Sequence, residues 1–201
     1  MAPTHAVVGL LVAVPVALVA PELAPAAAVA GVAGSLAPDL DMVVGTHRRT
    51  FHFPVLAWPP TLVATALAAT TPAPWLSLLA VALVAVALHP LCDLLGGSSE
   101  PSPWLAETDR GVYSHVGRRW LAPRRLVRYD GSPGDLAVAA VAAVPALAVF
   151  GPTAEPVVVA ALVVGAGYTL VRKRVPQLSG RVPVPGPLAV LVWMVAFVRS
   201  R

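Results

Sequence analysis

Long runs of apolar residues without any ionisable side chain limit most strongly how this chain can fold. Two such runs cover residues 75–88 and 136–150, and they match the apolar stretches that a hydrocarbon environment requires. Over the whole chain 12% of the residues are charged and the mean hydropathy is +0.77, whereas about a quarter of the residues in a soluble domain are charged. The sequence therefore predicts an all-α, polytopic membrane protein.

Seven apolar segments are predicted to form the bundle. They cover residues 6–20, 23–37, 53–70, 75–95, 136–150, 157–171 and 187–198. Several of them are shorter than the roughly 20 residues that cross a bilayer, and we expect segments one, two and seven to be tilted, partly buried or interfacial. The chain divides into a four-helix membrane unit (residues 1–95), an Arg-rich loop (residues 96–135) and C-terminal membrane helices (residues 136–201), giving six to seven membrane segments.

The basic residues predict the orientation of these segments. If the N-terminus and the loops after segments two, four and six share one side, that side holds 12 of the 14 Lys and Arg residues. The positive-inside bias then places the N-terminus and the loop of residues 96–135 in the cytoplasm, in a multi-pass protein of the cell membrane. The net charge of +4 and the pI near 10 are typical of such a protein and do not indicate a nucleic-acid partner. Cys92 is the only cysteine, which excludes an internal disulfide.

Seven ionisable residues fall at the predicted cytoplasmic ends of the first four segments. They are His5, Asp39, Asp41, His47, His52, His89 and Asp93. Ionisable groups at membrane depth are costly and are candidates for function. Three carboxylates and four imidazoles without a thiolate suit a divalent metal, with zinc as the first choice and manganese or iron as the others. Seven ligands are enough for two metals.

The local spacing of these residues adds to this interpretation. Asp39 and Asp41 are two residues apart, so in extended chain their carboxylates can point to one side. His89 and Asp93 are four apart and can share a helix face. His47 lies five residues before His52, which places it in the loop rather than on a shared helix face.

Each motif also has an ordinary structural explanation. The sequence PDLD at residues 38–41 is a common way to end a helix, and His89 before Pro90 could be a packing histidine. His47 beside Arg48 and Arg49 could bind anionic lipid. Taken together, these explanations require four unrelated coincidences on one side of the membrane, which favours a metal site.

Four motifs in the first 95 residues resemble those of the YdjM-like membrane-bound metal-dependent hydrolases, also described as LexA-binding inner-membrane hydrolases. The matching blocks are THAVVG at 4–9, GSLAPDLD at 34–41, HRRTFH at 47–52 and HPLCD at 89–93. The family pattern is TH, PDxD, HRxxxH and HxxxD, in that order. The chain departs from it where Phe51 and Phe53 flank His52, since the family usually has a small hydroxyl residue there. The resemblance implies metal chemistry more strongly than it implies a substrate.

These observations predict a metal-dependent hydrolase that acts at the cytoplasmic membrane surface. Asp41 could be a metal ligand, a partner of an imidazole or the general base. Arg48 and Arg49 would bind a substrate carrying phosphate or a lipid chain, so membrane lipids are the expected partners.

Two other classes of function are compatible with the same residues. In the first, a structural metal joins four helix ends, and the basic loop binds lipid or a cytosolic partner. The second is a metal or proton transporter, which is disfavoured because the non-cytoplasmic halves of the segments contain almost no ionisable residues.

Overall fold

The computed structural model describes residues 2–178, which are mostly helical. The helices are α1 (Ala2–Val19), α2 (Ala24–Leu36), α3 (Trp58–Thr70), α4 (Pro74–Leu95), α5 (Pro133–Phe150), α6 (Glu155–Val171) and the short α7 (Val175–Leu178). Short 3-10 helices cover Pro21–Leu23, Ala37–Met42 and Gly151–Thr153. Two strands, β1 (Val112–Ser114) and β2 (Arg119–Leu121), form an antiparallel hairpin. The helical class is confirmed, and the hairpin is an addition that the sequence did not predict. Predicted segment seven lies outside the described residues.

Four helical stretches in the described part of the chain are long and apolar enough to cross a membrane. They are Ala2–Val19, Pro21–Met42, Pro74–Leu95 and Pro133–Thr153. Helix α6 is a shorter apolar helix. Helix α3 has 13 residues and a length of about 20 Å, because residues 53–57 form a turn before it. The residues described here thus supply fewer helices of spanning length than the six to seven predicted segments.

Glycines bring α1, α2 and α4 into backbone contact. A Cβ atom added to Gly31 would lie 2.1 Å from the carbonyl oxygen of Gly9, and one added to Gly34 would lie 2.3 Å from that of Ala82. Small residues allow this close approach, which is common where helices pack in membranes. The core continues from α1 into α5 and α6, where Val7 and Leu10 belong to the same buried cluster as Ala143 and Val158. Helices from both sides of the hydrophilic region therefore share one core.

The region between α4 and α5 folds onto one end of the bundle. Arg172, at the end of α6, is buried; its Nη2 donates to Asp130 Oδ1 at 3.1 Å and its Nη1 to the Pro101 carbonyl at 3.0 Å. Its guanidinium carbon also lies 5.1 Å from the centre of the Trp104 ring. Burial alone would raise the pKa of Asp130, but the positive charges near it, including Arg172, outweigh burial and lower that pKa. This ion pair ties the hydrophilic region to the helices.

A buried hydrogen bond fixes the start of α1 to the start of α5 at this same end. Thr4 Oγ1 donates to Asp135 Oδ1 at 2.5 Å. Asp135 lies in the first turn of α5, and its amide donates to Oγ of Ser132 at 3.2 Å, so Ser132 caps the helix. Asp135, taken from the sequence as the last loop residue, thus belongs to the helix and positions the neighbour of His5.

Candidate metal centre

The seven predicted site residues come together at this end of the bundle, and we refer to them as the His/Asp cluster. His5 lies in the first turns of α1, Asp39 and Asp41 in the 3-10 helix Ala37–Met42, His47 and His52 in the loop before α3, and His89 and Asp93 in the last turns of α4. Five of the seven are almost completely buried, while the side chains of Asp39 and His47 are 17% and 31% exposed. The cluster therefore opens to the surface at Asp39 and His47.

Three ligand atoms form a compact triangle at the centre of the cluster. His52 Nε2 lies 3.0 Å from His89 Nε2 and 3.1 Å from Asp93 Oδ2. The remaining edge, from His89 Nε2 to Asp93 Oδ2, measures 3.5 Å. All three side chains are buried, so bulk water does not separate these atoms.

The Nδ1 atoms of His52 and His89 each face an oxygen outside the triangle. His89 Nδ1 lies 2.6 Å from the Ser35 carbonyl oxygen, and His52 Nδ1 lies 2.8 Å from Asp41 Oδ2. A carbonyl or carboxylate oxygen can only accept, so these contacts place a hydrogen on each Nδ1 of the neutral rings, whereas a further hydrogen on His52 Nε2, 3.1 Å from Asp93 Oδ2, would make that ring a cation. In the neutral rings both Nε2 lone pairs therefore face each other and the Asp93 carboxylate.

Three electron-pair donors that converge in a buried site need a cation between them. Zinc ligands at 2.0–2.1 Å from a tetrahedral ion are separated by about 3.4 Å, and the observed edges of 3.0, 3.1 and 3.5 Å are close to this separation. His52, His89 and Asp93 can thus hold a metal ion. The same distances also allow ion pairs if the imidazoles are protonated.

The net charge of the cluster favours binding of a cation. Burial alone would lower the pKa of His52, but its hydrogen bonds to Asp41 and Asp93 outweigh burial and raise that pKa. Asp39, Asp41 and Asp93 contribute three negative charges, and the buried Arg48 contributes one positive charge. With neutral imidazoles, two negative charges remain, which one divalent ion would balance.

Asp41 uses both carboxylate oxygens on imidazoles. Its Oδ1 lies 2.9 Å from His47 Nδ1 and its Oδ2 lies 2.8 Å from His52 Nδ1. This is the arrangement of a residue that orients metal ligands, one of the three roles that the sequence left open for Asp41. Its roles as ligand and as general base stay predictions.

The prediction that the carboxylates of Asp39 and Asp41 point to the same side is wrong, because the two residues lie in a 3-10 helix rather than in extended chain. With three residues per turn, side chains two apart point in directions about 120° apart. Asp39 accordingly faces His5 and His89, while Asp41 faces the loop histidines.

The two predicted substrate-binding arginines have different surroundings. Arg48 has a positive φ of 61°; its buried side chain donates from Nη1 to the Gly97 carbonyl at 2.6 Å and places Nε 3.4 Å from Asp93 Oδ2. Arg49 is exposed, and its guanidinium lies 4.5 Å above the Tyr113 ring. Arg49 can meet a molecule at the surface, whereas Arg48 can do so only inside the cluster. Substrate binding by both residues stays a prediction.

Sequence reasoning missed several residues that support the cluster. The carbonyl of Ser35 accepts from His89 Nδ1, and a sequence signal for this existed, since Pro38 has no N–H to bond the carbonyl three residues earlier. Gly97 supplies a carbonyl to Arg48. The hairpin contacts the HRRTFH loop on its exposed side and outside the cluster, where His115 Nε2 lies 2.7 Å from the Arg49 carbonyl oxygen.

Comparisons of the chain with protein-family models, with curated proteins and with solved structures found no match.

Proposed function

We propose that the protein is a membrane-embedded, metal-dependent hydrolase whose site lies at the cytoplasmic surface of the cell membrane. The observation that carries this proposal is the convergence of His52 Nε2, His89 Nε2 and Asp93 Oδ2, with an acceptor oxygen at the Nδ1 atom of each imidazole. Zinc is the first choice of metal, because two imidazoles and a carboxylate are a common catalytic zinc set. The resemblance of the four motifs to YdjM-like hydrolases supports the same class.

The roles of the buried residues follow from their contacts. A divalent ion at the triangle would polarise a scissile ester or phosphoester bond and make water more acidic. His52, His89 and Asp93 would hold that ion. Asp41 fixes the ring of His52, and the Ser35 carbonyl fixes the ring of His89. Arg48, beside Asp93, limits the negative charge around the ligands.

Asp41 and His47 together would transfer a proton from the attacking water to the leaving group. Asp41 Oδ1 accepts from His47 Nδ1 at 2.9 Å, which leaves His47 Nε2 as the atom that takes a proton from water and returns it to the leaving group. His47 suits this role because it is one of the two cluster residues exposed at the opening. Asp41, predicted as the catalytic residue, would then act through His47.

The surface around the opening suits an amphiphilic substrate. Leu40, Val43 and Val44 lie in the chain between Asp39 and His47, and each is exposed by more than half. Arg49 adds an exposed positive charge next to His47 in the loop. Apolar contacts would bind a lipid chain and the arginine would bind a phosphoester, so we propose a phosphate-bearing lipid as the substrate. The arginine-rich region after α4 fits contact with anionic membrane lipids.

Metal analysis combined with an activity panel tests the proposal. Protein purified in mild detergent without chelator should retain a divalent ion and hydrolyse at least one member of a phosphoester and lipid-ester panel. Chelation should abolish hydrolysis, and adding zinc or manganese should restore it. His89→Ala should lose both properties, and His115→Ala is the control that should keep them. Wild-type protein that binds no metal when metal is supplied would refute the proposal.

A non-enzymatic protein with a structural metal is the second candidate. It is favoured by the burial of five cluster residues and by their origin in separate elements, which a metal would join. For this class, chelation should lower the melting temperature, and the complete panel should show no turnover. An active wild-type enzyme that chelation inactivates without unfolding would exclude it.

A further inference from the structure

His5 is a buried imidazole that the triangle does not use. Its side chain is 2% exposed, and within the described residues neither of its ring nitrogens has a hydrogen-bond partner. A buried polar group without a partner is costly. Both ring nitrogens of His5 are therefore available to a ligand within the cluster.

Two carboxylates face His5, at distances longer than those of hydrogen bonds. His5 Nε2 lies 3.5 Å from Asp93 Oδ1, and His5 Nδ1 lies 3.8 Å from Asp39 Oδ2. An N–H···O bond is normally 2.7–3.2 Å long. A separation of 3.5 Å instead matches two ligands of one metal ion, which stand about 3.4 Å apart around a tetrahedral centre.

Asp93 presents its two oxygens to different groups. Oδ2 belongs to the triangle with His52 and His89, while Oδ1 faces His5. A carboxylate placed in this way can bridge two cations, as in hydrolytic sites with two metals about 3.5–4 Å apart.

We propose that the centre binds two divalent cations, the second held by His5 Nε2 and Asp93 Oδ1. This inference rests on the proposed function, because the triangle supplies the first position and the shared carboxylate. His5 Nδ1 would face the Asp39 carboxylate, which lies 3.8 Å away on the other side of the ring. The second position has fewer protein ligands than the first and so leaves more room for substrate oxygen.

The net charge of the cluster predicts how an anion affects binding of the second ion. One divalent ion balances the two negative charges that remain among Asp39, Asp41, Asp93 and Arg48, so a second ion leaves two positive charges in excess. An anion such as a phosphoester would offset this excess. Inorganic phosphate should therefore strengthen binding of the second ion more than binding of the first.

Manganese titration of the full-length protein in detergent tests the inference independently of activity. Bound Mn²⁺ per chain is measured by equilibrium dialysis with and without inorganic phosphate, and paramagnetic resonance distinguishes isolated ions from coupled pairs. Wild type should bind two ions and give a coupled spectrum in phosphate. His5→Ala should bind one ion with an uncoupled spectrum, and His115→Ala should match wild type.

The outcomes separate this inference from the proposed function. Wild type that saturates at one ion in phosphate would overturn the second position and leave the hydrolase proposal standing. His5→Ala that keeps two coupled ions would also overturn it. Wild type that binds no ion would refute both proposals. If His5→Ala does not fold, His5→Gln and the wild-type stoichiometry still decide the question.

Discussion

His52 Nε2 and His89 Nε2 face each other at 3.0 Å, and in both rings Nδ1 faces an oxygen that accepts a hydrogen bond. Two lone pairs at this distance repel unless a cation lies between or beside them. That cation is either an additional proton on one imidazole or a metal ion shared with Asp93.

Asp41→Asn should weaken metal binding without unfolding the protein. The amide can accept through one oxygen, but its NH₂ group cannot accept from the second imidazole, so either His47 or His52 loses its orienting partner. Replacing a residue that orients a metal ligand typically costs about 10–100-fold in affinity. The measurement is zinc affinity by competition with a chromophoric chelator. An affinity equal to that of wild type would show that Asp41 does not orient the ligands.

The sequence was sufficient to predict which residues meet, but not how they pair. Successive membrane helices run in opposite directions. Because His5 is at the start of α1, Asp39 follows α2 and His89 is near the end of α4, the order of the apolar segments predicts that these residues lie at the same end of the bundle. The way Asp39 and Asp41 divide their contacts depends on the 3-10 helix around Pro38, and the predicted extended chain was wrong there.

The docking of the region between α4 and α5 was also beyond sequence reasoning. It depends on pairs such as Arg172 with Asp130, which are 42 residues apart. Local periodicity contains no information on such a pair, so this region was predicted as a hydrophilic loop. The hairpin was missed for a related reason, because each strand has only three residues.

Gly31→Ala should destabilise the protein and disturb the cluster. The new methyl group would lie 2.1 Å from the Gly9 carbonyl oxygen, so α1 and α2 must move apart, and His5 would move relative to Asp39. Overpacking of this kind costs about 1–3 kcal/mol. The measurements are the melting temperature in detergent and the retained metal.

Gly167→Ala is the matched control for this substitution. Gly167 is in α6, and among the described residues its added Cβ would meet nothing within 4 Å. Alanine is the better helix former, so this variant should melt at or slightly above the wild-type temperature. Equal melting of both variants would contradict the close packing of α1 on α2.

Cysteine labelling should place residues 107 and 153 on opposite sides of the membrane. Glu107→Cys and Thr153→Cys, each made in a Cys92→Ala background, are at exposed positions, the first in the hydrophilic region before α5 and the second just after that helix. The distribution of basic residues predicts that residue 107 is cytoplasmic. An impermeant maleimide applied to intact cells should therefore label position 153 alone. Labelling of position 107 from outside would reverse the predicted orientation.

Asp93→Asn should separate a metal site from a buried ion-pair network. The substitution keeps the size of the side chain but removes the charge that faces His5, Arg48, His52 and His89. If a metal is bound, the variant should lose metal and any hydrolysis while remaining folded, because a ligand carboxylate has become a weakly binding amide.

If the cluster binds no metal, Asp93→Asn should instead change the stability of the protein. Asp93→Asn would then remove a buried charge from an ion-pair network, which leaves the charge of Arg48 without its partner and should lower the melting temperature by an amount that metal does not change.

His115→Ala is the control, since its Nε2 contacts the Arg49 carbonyl outside the cluster, and changes at such positions stay within about ±0.5 kcal/mol. Metal content and melting temperature are measured for wild type and both variants, with and without added zinc. Zinc should raise the melting temperature of wild type and of His115→Ala but not that of Asp93→Asn. An equal increase in all three would show that Asp93 is not a ligand.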